Sequence, residues 1–209
     1  MRTDALPQRL ILASSSVYRQ QMLHRLMLPF DVVSPDIDET PKPGESPDSL
    51  ARRLALTKAR AVISRQAPKT VVIGADQVLE LNGQSLGKPG GRAQAQQQLA
   101  QLSGQSVVFH SALAVLIADK EQLAITACRA TFRTLTDSQI NRYLDLDEPF
   151  DTAGSAKAES LGISLLTELQ SGDPTAIIGL PLIELTRMLA NIGMDPLDFA
   201  QPLNLRPNP

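Results

Sequence analysis

Residues Thr70–Pro89 read TVVIGADQVLELNGQSLGKP, and this segment carries the strongest structural signals in the chain. It opens with the β-branched run Val71–Ile73, which is typical of a buried strand. We expect Asp76 to lie at the end of that strand, where a rigid sheet holds a side chain against a cleft. The dipeptide Asn82-Gly83 predicts a hairpin turn, so that Lys88 returns toward Asp76.

The approach of Lys88 to Asp76 has two interpretations. A carboxylate and an ammonium that converge on one cleft suit a metal-bound phosphate. Alternatively, Asp76 simply ends a strand and Lys88 is a surface residue. Taken alone, the segment favours this second interpretation.

The composition indicates a globular protein. At 209 residues, the chain is long enough for one large domain or two small lobes with a proper core. A net charge of -2 gives no electrostatic footprint for long nucleic acid, although a single nucleotide needs only a few local cations. We predict one domain over residues 1–209, with a loose lead-in over 1–8 and a loosely held tail over about 195–209.

The numbers of cysteines and histidines and the pattern of hydropathy further restrict the kinds of site that the chain can form. Cys128 is the one cysteine, which excludes an intramolecular disulfide framework. The chain has no apolar leader and no run near the ~20 residues of a membrane span, so we expect a cytoplasmic protein without membrane contact. Because His24 and His110 are the only histidines, a metal would be held by carboxylates and water, which favours Mg²⁺ or Mn²⁺.

A phosphate-binding turn is predicted near the N-terminus. Arg9–Ala13 reads as a strand, Ser14–Ser16 as a polar turn and Val17–Leu26 as a helix. This order points backbone N–H groups at an anion. Arg19 falls in the first helical turn, where a cation is disfavoured unless an anion lies beside it. The alternative, an exposed arginine with ordinary serine capping, stays open.

The acidic segment Asp36–Glu39 follows a short strand predicted over Phe30–Val33. It is either a solvated loop or a loop that places one carboxylate, Asp38 or Glu39, on a cation.

The next helix contains the most informative local anomaly. Ser46 and Pro47 are typical of a helix start, and the helix is predicted over about Asp48–Arg65. Lys58 lies inside its apolar stripe, which is costly unless the ammonium meets an anion or snorkels to water. The stripe also contains Leu50, Leu54 and Val62.

The remaining elements predict an α/β domain with a mixed sheet and flanking helices, because strands and helices alternate first and antiparallel pairing follows. A polar segment, Asp151–Glu159, is long enough to suggest a functional loop. The predicted helices are Gly91–Leu102, Thr136–Leu144 and Pro181–Asn191, and the predicted strands are Ser106–Ala118, Gln122–Leu135 and Ile163–Leu169.

Seven ordered blocks of the chain resemble the Maf family of nucleotide pyrophosphatases, from Leu10 to about Met194. They are the helix with Lys58 and the blocks LILASSSVYR, DIDET, IGADQVLELNGQSLGKP, TFRTL, FDTAGSAKAES and IIGLPLIEL. The resemblance implies a twisted, two-lobed α/β fold of the Maf/ITPase-like type around a central cleft. It also implies hydrolysis of a nucleoside triphosphate to monophosphate and pyrophosphate with a divalent metal, and a homodimer.

The resemblance also assigns site residues by motif. Asp76 is the position of the family's proposed general base. As a hypothesis for the mechanism, Glu39 and Asp76 would hold the metal, and at Asp76 this role competes with that of general base. Ser14 and Arg19 belong to the phosphate loop. The other active-site positions carried over are Glu39, Lys58 and Lys88.

Three residues resemble the 7-methyl-GTP branch of the family: Tyr18, Gln77 and Glu159. That branch usually has Trp at position 18 and Gly at position 160, where this chain has Tyr18 and Ser160. A methylated guanine is cationic, and a tyrosine face attracts a cation by about 0.5–2 kcal/mol. The guanine edge can donate two hydrogen bonds to Glu159, whereas thymine and uracil offer one donor.

Two other functions remain open. The same chemistry would act on dTTP and UTP in the commoner branch of the family. A different class is a nucleotide-binding regulator of septum formation without turnover.

Overall fold

A computed structural model describes residues 9–201. Its strands are β1 Arg9–Ala13, β2 Asp31–Val33, β3 Thr70–Leu81, β4 Gln84–Leu86, β5 Ser106–Ile117, β6 Lys120–Phe132 and β7 Leu166–Ser171. Its α-helices are α1 Val17–His24, α2 Pro47–Ile63, α3 Arg92–Leu102, α4 Asp137–Asp147, α5 Leu182–Ala190 and α6 Pro196–Phe199.

Within residues 9–201, the strands form a single mixed sheet in the order β2-β1-β3-β5-β6-β7, and β4 pairs with β3. The pairs of β1 with β2 and β3 are parallel, and β3, β5, β6 and β7 pair antiparallel. This confirms the predicted mixed α/β sheet with flanking helices.

β3 is longer than the sequence suggested, and the expectation that Asp76 ends a strand is wrong. β1 pairs with β3 only as far as Ala13 opposite Gly74. On its other edge β3 continues beside β5 as far as Glu80, so its backbone stays extended through Asp76. Asp76 therefore lies in the middle of a strand, just beyond the point where its parallel neighbour ends.

The hairpin predicted at Asn82-Gly83 is confirmed. Asn82 has φ 52° and Gly83 has φ 78°, the left-handed pair that a type I′ turn requires. The turn pairs Leu79 with Leu86, so that β4 runs antiparallel to β3.

The core of the described residues divides into three apolar clusters. One lies between α2 and a face of the sheet, and one lies between the opposite face and α1 and α5. The third gathers α3 and α4 around Phe132 at the far end of β5 and β6. The first two clusters make one lobe and the third makes the other, with β3 and β5 running through both, as the two-lobed prediction required.

Several element ends differ from the predictions. β7 begins at Leu166 rather than Ile163, because Leu161–Leu165 forms a 3₁₀ helix first. Part of the predicted tail is ordered, since Asp195 caps the short helix α6. The predicted lead-in over 1–8 and the rest of the tail, 202–209, lie outside the described residues. Among residues 9–201, no helix has the length and apolar character needed to cross a membrane.

Candidate active site

The alternation of side chains along β3 sends two polar groups to opposite faces of the sheet. Val72, Asp76 and Val78 share the face that α2 covers, because side chains two apart in a strand point the same way. Gln77 points to the other face, toward a 3₁₀ turn over Ala176–Ile178. The carboxylate of Asp76 therefore faces α2, while the amide of the next residue, Gln77, contacts the 3₁₀ turn on the other face of the sheet.

Helix α2 lies very close to β3 because Gly74 has no side chain. A Cβ at Gly74 would come within 2.1 Å of the carbonyl oxygen of Ala55 and 2.8 Å of the Cβ of Ala59. The predicted stripe of α2, which includes Lys58, is buried against the sheet. Close packing therefore brings Lys58 over Asp76.

Lys58 does not snorkel: its ammonium is buried between two carboxylates. Its Nζ donates to Oδ1 of Asp76 at 2.6 Å and lies 2.8 Å from Oε1 of Glu39. The side chains of Lys58 and Asp76 are 7% and 8% exposed, whereas that of Glu39 is 55% exposed. A buried charge of this kind is retained only when it is paired. The site thus has a dry end at Asp76 and an open end at Glu39.

The two carboxyl groups respond differently to this environment. Burial raises the pKa of Asp76, and the nearby Lys58 and Arg19 only partly oppose it. Burial is also the largest influence on Glu39, but the hydrogen bond and charge of Lys58, with Lys88 and Arg19, outweigh it and lower the pKa of that carboxyl group. Neighbouring cations thus dominate at the exposed acid and desolvation dominates at the buried one.

The loop that carries Glu39 is tied to α2 by an ion pair that the sequence analysis missed. Arg53 donates to both carboxylate oxygens of Glu45, at 2.6 and 2.7 Å, and also to the carbonyl of Thr40 at 3.0 Å. Thr40 follows Glu39 directly. This anchor holds the backbone beside Glu39 against the same helix that presents Lys58.

Lys88 and Arg19 share a cleft with the buried pair. The cleft has a volume of about 340 Å³. Its polar and charged lining residues are Arg19, Glu39, Lys58, Asp76, Gln77, Ser85 and Lys88. Lys88 is exposed, but it lies on the cleft wall and its charge acts on Glu39. The structure therefore brings together three cations and two carboxylates predicted from separate segments.

Gln77 and Arg19 are held by one turn. The Nε2 of Gln77 donates to the carbonyls of Ala176 and Ile177, at 2.9 and 3.0 Å. The Nε of Arg19 donates to the carbonyl of Gly179 at 3.0 Å. The turn at the start of the block IIGLP therefore positions two cleft residues, Gln77 and Arg19. This role was not predicted from the sequence.

The serine turn follows β1 and precedes α1, as predicted. Ser14 is buried, and its hydroxyl oxygen accepts a hydrogen bond from the backbone N–H of Ser16 at 3.1 Å. Ser16 caps α1. Ser15 and Ser16 line a second cavity of about 270 Å³, which shares Arg19, Gln77 and Lys88 with the cleft. Ser14 lies beneath this turn, so contact with a substrate remains a prediction for it.

Tyr18 lines the second cavity, whereas Glu159 lies outside it. The hydroxyl of Tyr18 donates to Oδ1 of Asp151 at 3.3 Å, and the ammonium of Lys157 lies 5.8 Å from the ring centroid. Desolvation raises the pKa of Glu159, with Lys157 opposing it. Glu159 lines neither the cleft nor the second cavity, so the structure does not bring it into contact with Gln77.

The donor set fits a divalent cation that is shared with a ligand. Asp76 and Glu39 each present an oxygen to the same ammonium, so the two carboxylates converge. Over residues 9–201, no group of three or more His, Cys, Asp or Glu side chains is arranged to hold a metal. Mg²⁺ and Mn²⁺ suit such a site, because Mg²⁺ is usually held by one or two carboxylates, waters and substrate phosphates.

Fold and site together define an α/β protein whose cleft gathers three cationic side chains and two carboxylates. The chain belongs to the Maf family: it matches the family described as Maf-like protein over residues 9–192.

Two proteins that are similar to this chain have the same name. It is 58% identical over 195 residues to the 7-methyl-GTP pyrophosphatase of Bordetella pertussis (strain Tohama I), covering 92% of this chain and 96% of that one. It is 54% identical over 187 residues to the 7-methyl-GTP pyrophosphatase of Polaromonas sp. (strain JS666), covering 88% and 85%. The solved structure of the Staphylococcus aureus Ham1 protein aligns with a TM-score of 0.44 and 16% identity over 60% of this chain and 72% of that chain, which is too distant to support an argument.

Proposed function

We propose that this protein hydrolyses 7-methyl-GTP to 7-methyl-GMP and diphosphate, and so removes a modified nucleotide from the pool. The observation that carries the proposal is the buried ammonium of Lys58, held between Asp76 and Glu39 at 2.6 and 2.8 Å in a cleft that Arg19 and Lys88 also line. The relatives at 58% and 54% identity, named for this reaction, support it.

The charged residues divide the work along the triphosphate. Arg19, Lys58 and Lys88 bind the phosphates and neutralise the charge that develops on the leaving diphosphate. Glu39 and Asp76 would hold a divalent cation, which would supply Lewis-acid polarisation of phosphate oxygens. The role of metal ligand competes at Asp76 with that of general base: as the base, Asp76 would accept a proton from the water that attacks the α-phosphorus, and the bond from the α-phosphorus to the oxygen that bridges to the β-phosphate would break.

Base selection depends on Tyr18, which lines the second cavity, and on Glu159, which lies outside it in this structure. The ring of Tyr18 lies within cation–π distance of Lys157, so this chain already places positive charge against that ring. A 7-methylguanine carries its positive charge on the ring system and stacks on the same aromatic side chain. Glu159 accepts the two N–H groups of the guanine edge.

A substrate panel tests the proposal. Diphosphate release is measured with 7-methyl-GTP, GTP, dTTP and UTP, with Mg²⁺ or Mn²⁺ and then with a chelator. We expect the highest kcat/KM with 7-methyl-GTP and loss of turnover with the chelator. Preference for dTTP and UTP would assign the pyrimidine activity instead, and tight nucleotide binding without diphosphate release would assign a regulatory role.

The substitution Glu159→Gln tests base reading separately from chemistry. It keeps the size of the side chain but replaces one acceptor with a donor, so kcat/KM should fall selectively for 7-methyl-GTP. A loss of about 10-fold or more is expected for a site that reads hydrogen bonds. An equal change with every nucleotide would contradict the role of Glu159.

The homodimer implied by the family resemblance and the cytoplasmic location stay predictions. Light scattering of the purified protein measures the first, and cell fractionation measures the second.

A further inference from the structure

The segment that carries Lys88 is tied to the rest of the molecule on both sides. Before Lys88, the carbonyl of Gly87 accepts a hydrogen bond from Nε2 of Gln98 at 3.0 Å. After it, the backbone N–H of Gly90 donates to the carbonyl of Phe150 at 3.0 Å. Gly87 and Lys88 are exposed and only Pro89, directly after them, is buried, so the two hydrogen bonds carry much of the positioning of Lys88.

Gln98 is itself fixed from its other side. Its Oε1 accepts a hydrogen bond of 2.7 Å from the hydroxyl of Ser155, which is fully buried. Both ends of the Gln98 amide are therefore used, one for Ser155 and one for Gly87. An amide bonded at both ends has little freedom to rotate, so it transmits the position of the Ser155 turn to the Gly87 carbonyl.

The turn at Ser155 has an uncommon backbone conformation and packs against β3. Gly154 and Ser155 both have left-handed φ, 72° and 54°. A Cβ at Gly154 would lie 2.4 Å from Cδ1 of Leu79 in β3, so the turn is seated directly on the central strand. Non-glycine residues adopt such backbone only when the surroundings impose it. Contact with β3, the strand that carries Asp76, therefore fixes the position of the turn.

We propose that Gln98 is a positioning residue, which holds Lys88 at a set place across the cleft from Asp76 through the chain of hydrogen bonds from Ser155 to Gly87. The inference rests on the proposed function only for the role of Lys88 at the triphosphate. The polar segment Asp151–Glu159 thereby has a second role beside base selection: it fixes the opposite wall of the cleft.

The experiment is a double-mutant cycle with 7-methyl-GTP as substrate. Gln98→Met keeps the length of the side chain and removes both hydrogen bonds, and it should raise KM and lower kcat/KM by about 5- to 30-fold, as expected for a displaced binding group. In a Lys88→Met background, the same substitution should change kcat/KM by less than about 2-fold, because no ammonium is left to position. Gln97→Met, an exposed neighbour on the same helix, is the matched control and should behave as wild type.

A second variant protects the test against a folding defect. Ser155→Gly removes the hydroxyl but suits the left-handed φ of 54°, so it should fold at least as well as wild type. It should still lower kcat/KM, by less than Gln98→Met, because Gln98 keeps its bond to Gly87. Thermal unfolding of every variant is measured alongside.

The outcomes separate this inference from the proposed function. If Lys88→Met leaves turnover of all nucleotides unchanged, the proposed role of Lys88 at the triphosphate is wrong. If Lys88→Met lowers turnover but Gln98→Met matches Gln97→Met, the positioning role is overturned. It is also overturned if Gln98→Met costs the same factor with and without Lys88, since that is the result for a merely structural residue.

Discussion

At the scale of single residues, Lys58 keeps its charge within the apolar stripe of α2 because two acids meet it there. One of them, Asp76, is as buried as the lysine, and the other, Glu39, is exposed and lines the cleft. Removing one partner of a buried pair leaves an uncompensated charge, which is strongly destabilising, whereas a neutral isostere keeps a hydrogen-bond acceptor. Substitutions at this site should therefore preserve shape.

Asp76→Asn is the first test of the chemistry. The amide oxygen still accepts from Lys58, so the fold should persist, but it cannot take a proton from water. We expect kcat to fall by about 10²–10⁴-fold, the usual contribution of a general base. Diphosphate release and circular dichroism measure the two properties; turnover near the wild-type level would show that Asp76 is not required.

Asp173 offers a control, because its substitution should affect stability rather than turnover. It is also buried, but its carboxylate accepts from the backbone N–H of Thr175 and of Ile183 at the start of α5. Asp173→Asn should lower thermal stability and leave turnover per folded molecule intact.

At the scale of elements, the contact between α2 and β3 depends on Gly74. In Gly74→Ala the new Cβ would lie 2.1 Å from the Ala55 carbonyl, so the helix must move away from the strand. Overpacking of this kind lowers the free energy of unfolding by about 1–3 kcal/mol. The shift also separates Lys58 from Asp76, so kcat/KM should fall as well.

The matched control for Gly74 is Gly172→Ala, where a Cβ meets no atom within 4 Å. Denaturant unfolding and diphosphate release of both variants measure the difference. If Gly74→Ala were as stable and active as Gly172→Ala, the close approach of α2 would have no energetic importance.

The loop that presents Glu39 should make its own contribution to acid stability. The hydrogen bonds from Arg53 lower the pKa of Glu45 to about 2. A carboxyl group whose pKa is depressed on folding stabilises the protein above its ordinary pKa of 4.5, and that contribution is lost as the pH falls toward about 2. Glu45→Gln should therefore lower the Tm above pH 4.5, and the gap from wild type should narrow as the pH falls.

Differential scanning fluorimetry across this pH range measures the gap, with Asp36→Asn as a control for loss of one exposed charge in the same loop. A gap that stays constant with pH would mean that the pair with Arg53 is not linked to folding.

The local elements could be predicted from the sequence because their signals are local. The hairpin at Asn82-Gly83 follows from turn chemistry, and α2 follows from its Ser-Pro start and apolar spacing. Lys58 stood out because it breaks that spacing. In contrast, the mid-strand position of Asp76 depends on the pairing of β3 with β5 as far as Glu80, which is a contact with a distant segment.

The supports of the site could not be predicted for the same reason. Arg53 and Gln98 are ordinary helix-surface residues in the sequence, and only their non-local partners reveal what they hold. Glu159 is the reverse case: the motif pointed to it, yet the structure keeps it outside both cavities that Gln77 lines. Residue type shows which groups are unusual, while the backbone decides which of them meet.

At the scale of the whole molecule, the cleft is a composite of two lobes. Lys58 and Glu39 come from the lobe built on α2, and Lys88 comes from the segment after the hairpin that packs beside α3. Asp76 lies on the strand common to both. A triphosphate with a cation would join the lobes, because neither lobe alone presents both acids and all three positive charges.

This composite construction predicts that metal and nucleotide bind together. Within residues 9–201 only two carboxylates converge, so Mn²⁺ should bind the protein alone weakly and bind at least about 10-fold more tightly with a nucleotide whose α–β bridging oxygen is a methylene group. Titration calorimetry measures both, and Glu39→Gln should reduce the gain. If Asp76→Asn keeps the gain while it abolishes turnover, Asp76 acts as the base, and if it loses both, Asp76 is a metal ligand. Tight Mn²⁺ binding without nucleotide would contradict a site shared between protein and substrate.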